Sequence, residues 1–169
     1  MSDKIKYSKF EYIEIPALRF IGIDAWRTKE DWGDMWRRKD EFLPQLESMK
    51  ESLDLTIPHV CAFCHHDDGE VDVVNRYLIG RFFKADTTVP DGYDYHDLKP
   101  QIVAYAVFDN GVENEFFLRY EITRDKILGD GIGIPYPVGY WHGEVYIDKT
   151  PVDPTFCCGV LFACNKGKV

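Results

Sequence analysis

The chain has 169 residues, enough for one domain that buries most of its apolar surface. Its hydrophobic share of 45% and aromatic share of 15% are too high for a disordered chain, and its net charge of −9 repels the phosphates of nucleic acids. Apolar runs stay below the ~18 residues of a membrane span, and the N-terminus lacks an apolar signal region. We therefore expect a cytoplasmic protein with reduced cysteines and with neither nucleic acid nor membrane as a direct partner.

The first two predicted elements are a strand and a helix. Residues 11–25 are rich in isoleucine and aromatic residues, as strands are, and Pro16 marks an edge or a bend near the start of this strand. Apolar residues then recur at helical spacing, after Thr28 and Asp31, which resemble a capping box. Pro44 interrupts this pattern, and we expect it to kink the helix or to split it in two.

Two strands are predicted next, at about 57–64 and 73–84, and polar residues 86–98 are interpreted as a connection between two halves. The order of elements then repeats: a strand at 100–109, a helix capped by Asn114 and ended by Gly129 or Gly131, and strands at 144–148 and 156–165.

An offset of 84 residues relates the two series in pattern, although few residues are identical. The pairs are Pro16 and Pro100, Leu18 and Ile102, Ile23 and Val107, Trp32 and Phe116, Trp36 and Tyr120, Leu43 and Ile127, and Phe63 and Ile147. We predict a single α+β domain over residues 1–169, built from tandem duplicated β-α-β-β units. The first repeat covers about 10–85, the linker about 86–98 and the second repeat about 99–166. Pseudo-twofold symmetry between such halves leaves a central groove, which is a common place for a ligand.

Glu144 and Tyr146 are the strongest candidates for a functional site, because residues two apart on a strand share one face. Tyr140 and Trp141 stand just upstream. A carboxylate among aromatic rings suits a lipophilic cation, and a desolvated Glu has a raised pKa that also suits a general acid or base. The alternative is a solvated Glu on an edge strand beside ordinary core aromatics.

A second motif, Cys61-Ala62-Phe63-Cys64-His65, matches the c-type haem attachment pattern, and with His66 it offers zinc ligands. Both interpretations fit poorly. Haem attachment needs export, and a strand places Cys61 and Cys64 on opposite faces. We therefore expect no metal and no cofactor, and interpret these cysteines as structural.

Three stretches of the chain form an ordered set of motifs. They are residues 15–23 followed by Met35-Trp36, then residues 77–80, 89–93 and 102–108, and finally Gly143-Glu144-Val145-Tyr146-Ile147. In this order they resemble the GyrI-like small-molecule-binding family, which is also the effector-binding domain of AraC- and MerR-type bacterial transcription activators.

The resemblance implies a duplicated β-α-β-β fold whose central cavity receives lipophilic, often cationic compounds. It implies ligand-binding roles for Glu144 and Tyr146, and it indicates cavity walls at Trp36, Tyr105, Phe108, Tyr140 and Trp141. Residues 134–137 depart from the Trp-Leu-Pro-type stretch that the family often has there.

Three functions remain open. The first is a stand-alone binding protein that captures or senses lipophilic, cationic or drug-like compounds. The second is a hydrolase of strained-ring xenobiotics, with Glu144 as general acid or base and Tyr146 beside it. The third is an interaction protein that resembles gyrase inhibitors, in which an acidic surface meets a basic protein partner. We expect a monomer or a homodimer, and no helix-turn-helix DNA reader is found in the sequence.

Overall fold

The computed structural model of the chain describes residues 6–65, 76–108, 116–135, 140–146 and 159–165, without the side chains of residues 116 and 117. The strands are β1 (Tyr7–Ile15), β2 (Leu18–Asp24), β3 (Val60–His65), β4 (Arg76–Lys84), β5 (Asp94–Leu98), β6 (Gln101–Phe108), β7 (Trp141–Tyr146) and β8 (Gly159–Cys164). The α-helices are α1 (Ala25–Thr28), α2 (Trp32–Arg37), α3 (Leu43–Ser48) and α4 (Phe116–Gly129), with 3-10 turns at Lys39–Glu41 and Lys50–Ser52. The strands form one antiparallel sheet of order β1-β6-β8-β7-β3-β4-β2-β5, so the expected α+β class is confirmed. None of the described helices has the length and apolar character needed to cross a membrane.

The single strand predicted at 11–25 is two strands, because the chain bends at Pro16 and Ala17. Proline has no N–H for a ladder hydrogen bond, so the extended pairing stops there. The two pieces then pair with different partners. β1 runs antiparallel to β6, and β2 lies between β4 and β5.

The first helical region is divided into α1, α2 and α3, which confirms the expected split. The caps differ from the prediction: Asp24 accepts a hydrogen bond from the Trp26 N–H and Asp31 accepts one from the Gly33 N–H, whereas Thr28 is the last residue of α1. A short carboxylate caps free N–H groups as well as Thr does. Pro44 lies in the first turn of α3, where its missing N–H costs no hydrogen bond.

Residues 94–98, predicted as part of the linker, form β5 at one edge of the sheet. Two ion pairs hold this strand, Arg19 to Asp97 at 2.6 Å and Arg27 to Asp94 at 2.7 Å. The predicted cap at Asn114 and the outer parts of the last two predicted strands, residues 147–148 and 156–158, lie outside the described residues.

The sheet order contains an internal symmetry. Its middle strands are β6-β8-β7 from the second half and β3-β4-β2 from the first, and the two sets meet where β7 pairs with β3. The strand that leads each half pairs with the other half: Glu14 of β1 faces Ile102 of β6, and Leu98 of β5 faces Leu18 of β2. The two halves therefore exchange their leading strands.

The 84-residue offset holds for the helical pairs Trp36 with Tyr120 and Leu43 with Ile127, but not for β2 and β6. The Phe116 side chain and Ile147 lie outside the described part of the chain, so their two pairs stay predictions. Trp36 and Tyr120 both pack on the helix-covered side of the sheet. Leu18 and Ile102, by contrast, belong to clusters on opposite faces, and so do Ile23 and Val107. Side chains alternate along a strand, so residues of β2 and β6 that are 84 apart point to opposite faces. Equivalent positions in these two strands are therefore separated by an odd number of residues.

Three apolar clusters fill the described part of the molecule, two beneath the helices and one on the opposite face. The first-half helix-side cluster includes Ile21, Met35, Trp36, Leu46, Ile79, Phe83 and Tyr146. The second-half helix-side cluster includes Ala104, Phe108, Ile127, Tyr140, Val160 and Phe162. The opposite-face cluster includes Phe20, Phe63, Phe82, Tyr105, Trp141, Val145 and Leu161, and no described helix contributes to it.

Strong curvature of the sheet explains how the opposite-face cluster is buried. The Phe63 and His96 rings are 5.1 Å apart, although their strands β3 and β5 are separated by two others. On a flat sheet that separation is roughly 14 Å. The sheet therefore curls around this face, and Gly22 and Gly80, which pair in β2 and β4, permit the close approach of those strands. A Cβ on Gly80 meets the backbone oxygen of Ile21.

We expect Gly80→Ala to destabilise the protein by about 1–3 kcal/mol, because the added methyl group meets backbone that cannot move aside. Urea denaturation followed by circular dichroism measures this change. The matched control is Gly129→Ala at the end of α4, where a Cβ meets nothing within 4 Å. Equal stability of the two variants contradicts the close packing of β2 on β4.

Candidate functional site

The centre of the sheet carries a line of polar residues on its helix-covered face. His142, Glu144 and Tyr146 alternate along β7 and share this face, as the sequence predicts for Glu144 and Tyr146. The cross-strand neighbours of Glu144 are small, Ala62 on β3 and Val160 on β8. The helices of the first half pack chiefly over β2 and β4, and α4 packs over β8. The line of residues on β7 therefore lies between the strands that the two sets of helices cover, where the sequence predicts the central groove.

Two tyrosine hydroxyls converge on Glu144. Tyr146 Oη donates to Glu144 Oε2 at 2.5 Å, and Tyr77 Oη on β4 donates to the same oxygen at 3.1 Å. The indole Nε1–H of Trp36 donates to Tyr77 Oη at 3.1 Å. Because Tyr77 accepts from the indole, its own proton is directed to Glu144. The three donors therefore form an ordered chain that ends on the carboxylate.

Aromatic rings surround this carboxylate on the first-half side. The Trp36 and Tyr146 rings are 4.2 Å apart, and the Trp32 ring stacks on Tyr77 at 5.1 Å with an interplanar angle of 12°. Trp32 and Trp36 lie one helical turn apart on α2, so both face the same region. Trp32 is 53% exposed while Trp36 is buried, which places the aromatic wall at the boundary between core and solvent.

Glu144 is buried, with 9% of its surface exposed. Burial raises its pKa, and the hydrogen bonds from Tyr146 and Tyr77 oppose that rise. Among the residues that the structure describes, no Lys, Arg or His forms an ion pair with Glu144, and Oε1 receives no hydrogen bond. Burial and the Glu144 charge together raise the pKa of Tyr77 well above its ordinary value, so this phenol stays a donor. The result is a desolvated carboxylate that accepts hydrogen bonds from two tyrosine hydroxyls, both at Oε2.

The structure brings together three of the predicted site residues, Glu144, Tyr146 and Trp36. Trp141 and Tyr105 lie in the opposite-face cluster, so the sheet separates them from Glu144. Tyr140 and Phe108 face the helices but belong to the second-half cluster. The position of Trp141 on the other face follows from alternation alone, because Trp141 and Glu144 are an odd number of residues apart on the same strand.

Sequence reasoning missed Tyr77 and Trp32. Trp32 had a signal, since it lies four residues before Trp36 on a helix and shares its face. No sequence pattern identifies Tyr77, because its contact with Glu144 depends on β3 lying between β4 and β7.

The structure places the two cysteines of the Cys61-Ala62-Phe63-Cys64-His65 motif on different faces of the sheet. Cys61 faces the opposite-face cluster and Cys64 the first-half helix-side cluster, as alternation predicts. Among the described residues there is no group of three or more His, Cys, Asp or Glu side chains placed to hold a metal ion. His66 lies outside those residues.

Comparisons with known proteins identify the fold. No family model and no curated protein matches the chain in sequence. Among solved structures, SAV2435 bound to tetraphenylphosphonium matches with a TM-score of 0.62 at 12% identity, over 93% of this chain and 94% of that one. A Staphylococcus aureus MU50 protein assigned to bacterial transcription regulation gives 0.57 at 13%, over 94% and 99%. The EcmrR C-terminal domain gives 0.54 at 17%, over 95% and 98%.

The GyrI-like fold is confirmed. These structures share the architecture of the chain over nearly its whole length, as the order of motifs in the sequence implies.

We expect Tyr146→Phe to raise the pKa of Glu144 further, because the variant removes a hydrogen bond that favours the charged form. A ¹³C NMR titration of the labelled glutamate side chains measures the shift. The control is Tyr12→Phe, which removes a phenol that donates to Asp130, a residue outside the groove. An unchanged Glu144 titration in Tyr146→Phe contradicts the hydrogen bond.

We expect Glu144→Gln to stabilise the free protein at pH 8. The raised pKa means that ionising Glu144 costs folded-state stability once the pH exceeds the ordinary Glu value of 4.5. Gln keeps an acceptor oxygen for both tyrosines without the charge. The expected gain in Tm is a few degrees, as each 1 kcal/mol shifts Tm by ~2–4 °C in a domain of this size.

Thermal unfolding at pH 8 and at pH 4.5 checks this expectation, and the advantage of Glu144→Gln shrinks at the lower pH. Glu14→Gln, at an exposed site on β1, serves as the control. A Glu144→Gln protein that is less stable than wild type at pH 8 overturns the assignment of a costly buried charge.

Proposed function

We propose that the chain is a small-molecule-binding domain that captures or senses a lipophilic cation in the groove above Glu144. The observation that carries this proposal is the buried carboxylate without a cationic partner among the described residues. A buried charge is costly unless it is compensated, and buried acidic groups are usually paired. An organic cation supplies the missing charge.

The surroundings of Glu144 favour an organic cation over a metal ion. A divalent metal needs several oxygen, nitrogen or sulfur ligands, and in the described residues Glu144 is not joined by such a set. A cation with dispersed charge and apolar groups loses little hydration on burial. Its apolar surface fits the rings of Trp32, Trp36, Tyr77 and Tyr146, whose π faces attract positive charge.

A protein of the same fold supports this choice of ligand class. SAV2435 has been solved bound to tetraphenylphosphonium, a cation surrounded by four phenyl groups. The identity to this chain is 12%, so the support rests on the shared fold together with the chemistry around Glu144 in this chain.

Tetraphenylphosphonium is the probe that tests the proposal. Titration of the wild-type protein is expected to change its tryptophan fluorescence, because Trp36 and Trp32 contact the tyrosines beside Glu144. Glu144→Gln is expected to weaken binding at least tenfold, which corresponds to about 1.4 kcal/mol. Glu14→Gln, which changes net charge equally at an exposed site, keeps the wild-type affinity. Equal affinities of wild type and Glu144→Gln refute the proposed role of the carboxylate.

The same geometry supports a hydrolase as a second candidate function. A carboxyl group whose pKa is raised by burial, with the Tyr146 hydroxyl at 2.5 Å, has the components of acid catalysis on a strained ring. Mass analysis of a cyclopropane-containing electrophile after incubation separates the two functions. Addition of water that depends on Glu144 supports the hydrolase, and a compound recovered intact supports the binding protein.

A further inference from the structure

The strand β1 forms one outer edge of the sheet. In the part of the chain that the structure describes, β1 pairs only with β6, so its other backbone edge is open. The strand has nine residues and no proline, whereas exposed edge strands are usually short or interrupted. We propose that β1 pairs antiparallel with β1 of a second copy of this chain, so that Lys9 of each copy lies opposite Glu11 of the other. This dimer is independent of the proposed function.

The charged side chains of β1 lie on one face of the strand and its aromatic side chains on the other. Phe10 and Tyr12 pack against the second-half helix-side cluster, with their rings edge-on at 5.3 Å. On the opposite face, Lys9 Nζ lies 5.1 Å from the Tyr105 ring and 2.8 Å from Glu11 Oε1. The Lys9 and Glu11 side chains are 51% and 43% exposed. Packing therefore fixes the strand, while its two charges stay accessible at the edge.

Lys9 and Glu11 determine which strand this edge accepts. Charged side chains on an edge disfavour pairing with apolar or like-charged strands, and many proteins protect their edges in this way. The bulge between Tyr7 and Lys9 limits the regular part of the strand to residues 9–15. A second copy of β1 overcomes this protection, because a twofold axis at Phe10 places each lysine opposite a glutamate.

The register with its axis at Phe10 is the one in which self-pairing of β1 joins opposite charges. An axis at Lys9 or at Glu11 places like charges opposite each other, and an axis at Tyr12 places Lys9 opposite Ile15. Residues directly opposite have Cβ atoms about 4.5–5.5 Å apart, which is within reach of an ion pair. With the axis at Phe10, two lysines and two glutamates of alternating sign surround the axis.

The other edge of the sheet, β5, is a poorer partner for β1. It has five residues, and Asp94 and Asp97 already pair with Arg27 and Arg19. Pairing of β1 with β5 of a neighbouring molecule also leaves a free edge at each end, so that assembly continues without closing. Pairing of β1 with β1 closes at two copies. A dimer is therefore the expected product.

Sedimentation equilibrium from about 1 µM to about 1 mM tests the proposal over the affinities of small interfaces. Wild type is expected to dimerise, and Lys9→Glu and Glu11→Lys are each expected to weaken dimerisation at least tenfold, because like charges then face each other. An equimolar mixture of these two variants is expected to form heterodimers, since every cross-strand pair in the mixed dimer again joins opposite charges. The double variant Lys9→Glu/Glu11→Lys is expected to regain the wild-type dimer.

Matched controls are Lys50→Glu and Glu51→Lys, which make the same charge changes at exposed positions of the 3-10 turn and keep wild-type dimerisation. Circular dichroism establishes that each variant is folded, and the double variant tests the register if a single variant does not fold. A wild type that stays monomeric, single variants that dimerise like wild type, or folded variants that do not combine in the mixture overturn the β1 interface. Assemblies that grow beyond the dimer overturn it as well.

Discussion

The antiparallel pairing of β3 with β7 is the constraint on which the rest of the molecule depends. It joins the two halves at the middle of the sheet, with Cys61 opposite Val145 and Ala62 opposite Glu144. This register places Glu144 on the helix-covered face of the sheet, between the small side chains of Ala62 and Val160. A slip of one residue turns Val145 toward the helices and buries the carboxylate among the aromatic rings of the opposite face. The position of Glu144 on one face and the apolar cluster on the other are therefore two results of one register.

The hydrogen bonds at Glu144 partly stabilise a buried carboxylate whose charge lowers the stability of the folded protein. The indole of Trp36 orients Tyr77, and Tyr77 and Tyr146 both donate to one carboxylate oxygen. These donors lower part of the cost of ionisation, while burial keeps the pKa of the carboxyl above its ordinary value. A buried residue that lowers the stability of the folded protein is typical of a functional site. The donors come from β4, β7 and α2, so the environment of Glu144 exists only when the first half is fully packed.

Much of this arrangement could be predicted from the sequence. Period-two alternation predicted the shared face of Glu144 and Tyr146, and helical spacing predicted the sheet-facing positions of Trp36 and Tyr120. Alternation also excludes Trp141 from that face. Trp141 was nevertheless predicted as a cavity wall, because it is close to Glu144 in the sequence. Tyr77 could not be found, because pairing between strands distant in the chain decides which side chains meet.

The constant offset of 84 residues failed in β2 and β6 because loops of unequal length separate the strands of the two halves. The role of residues 94–98 as a strand was hidden by their polar composition, which suits an edge held by ion pairs.

The exchange of leading strands has a consequence for the origin of the site. Each half completes its part of the sheet with the leading strand of the other half, so a single unit of this kind needs a second copy to complete its sheet. Such an assembly of identical units carries every residue twice, and two carboxylates then lie on adjacent central strands, where their repulsion pushes one toward neutrality. When the two units are joined in one polypeptide, a residue can be substituted in one unit without being substituted in the other. In this chain β3 (Val60–His65), the central strand of the first half, has no acidic residue, so Glu144 has no acidic counterpart there. A single chain with this sheet order can therefore carry an acid on the central strand of one half without one on the central strand of the other.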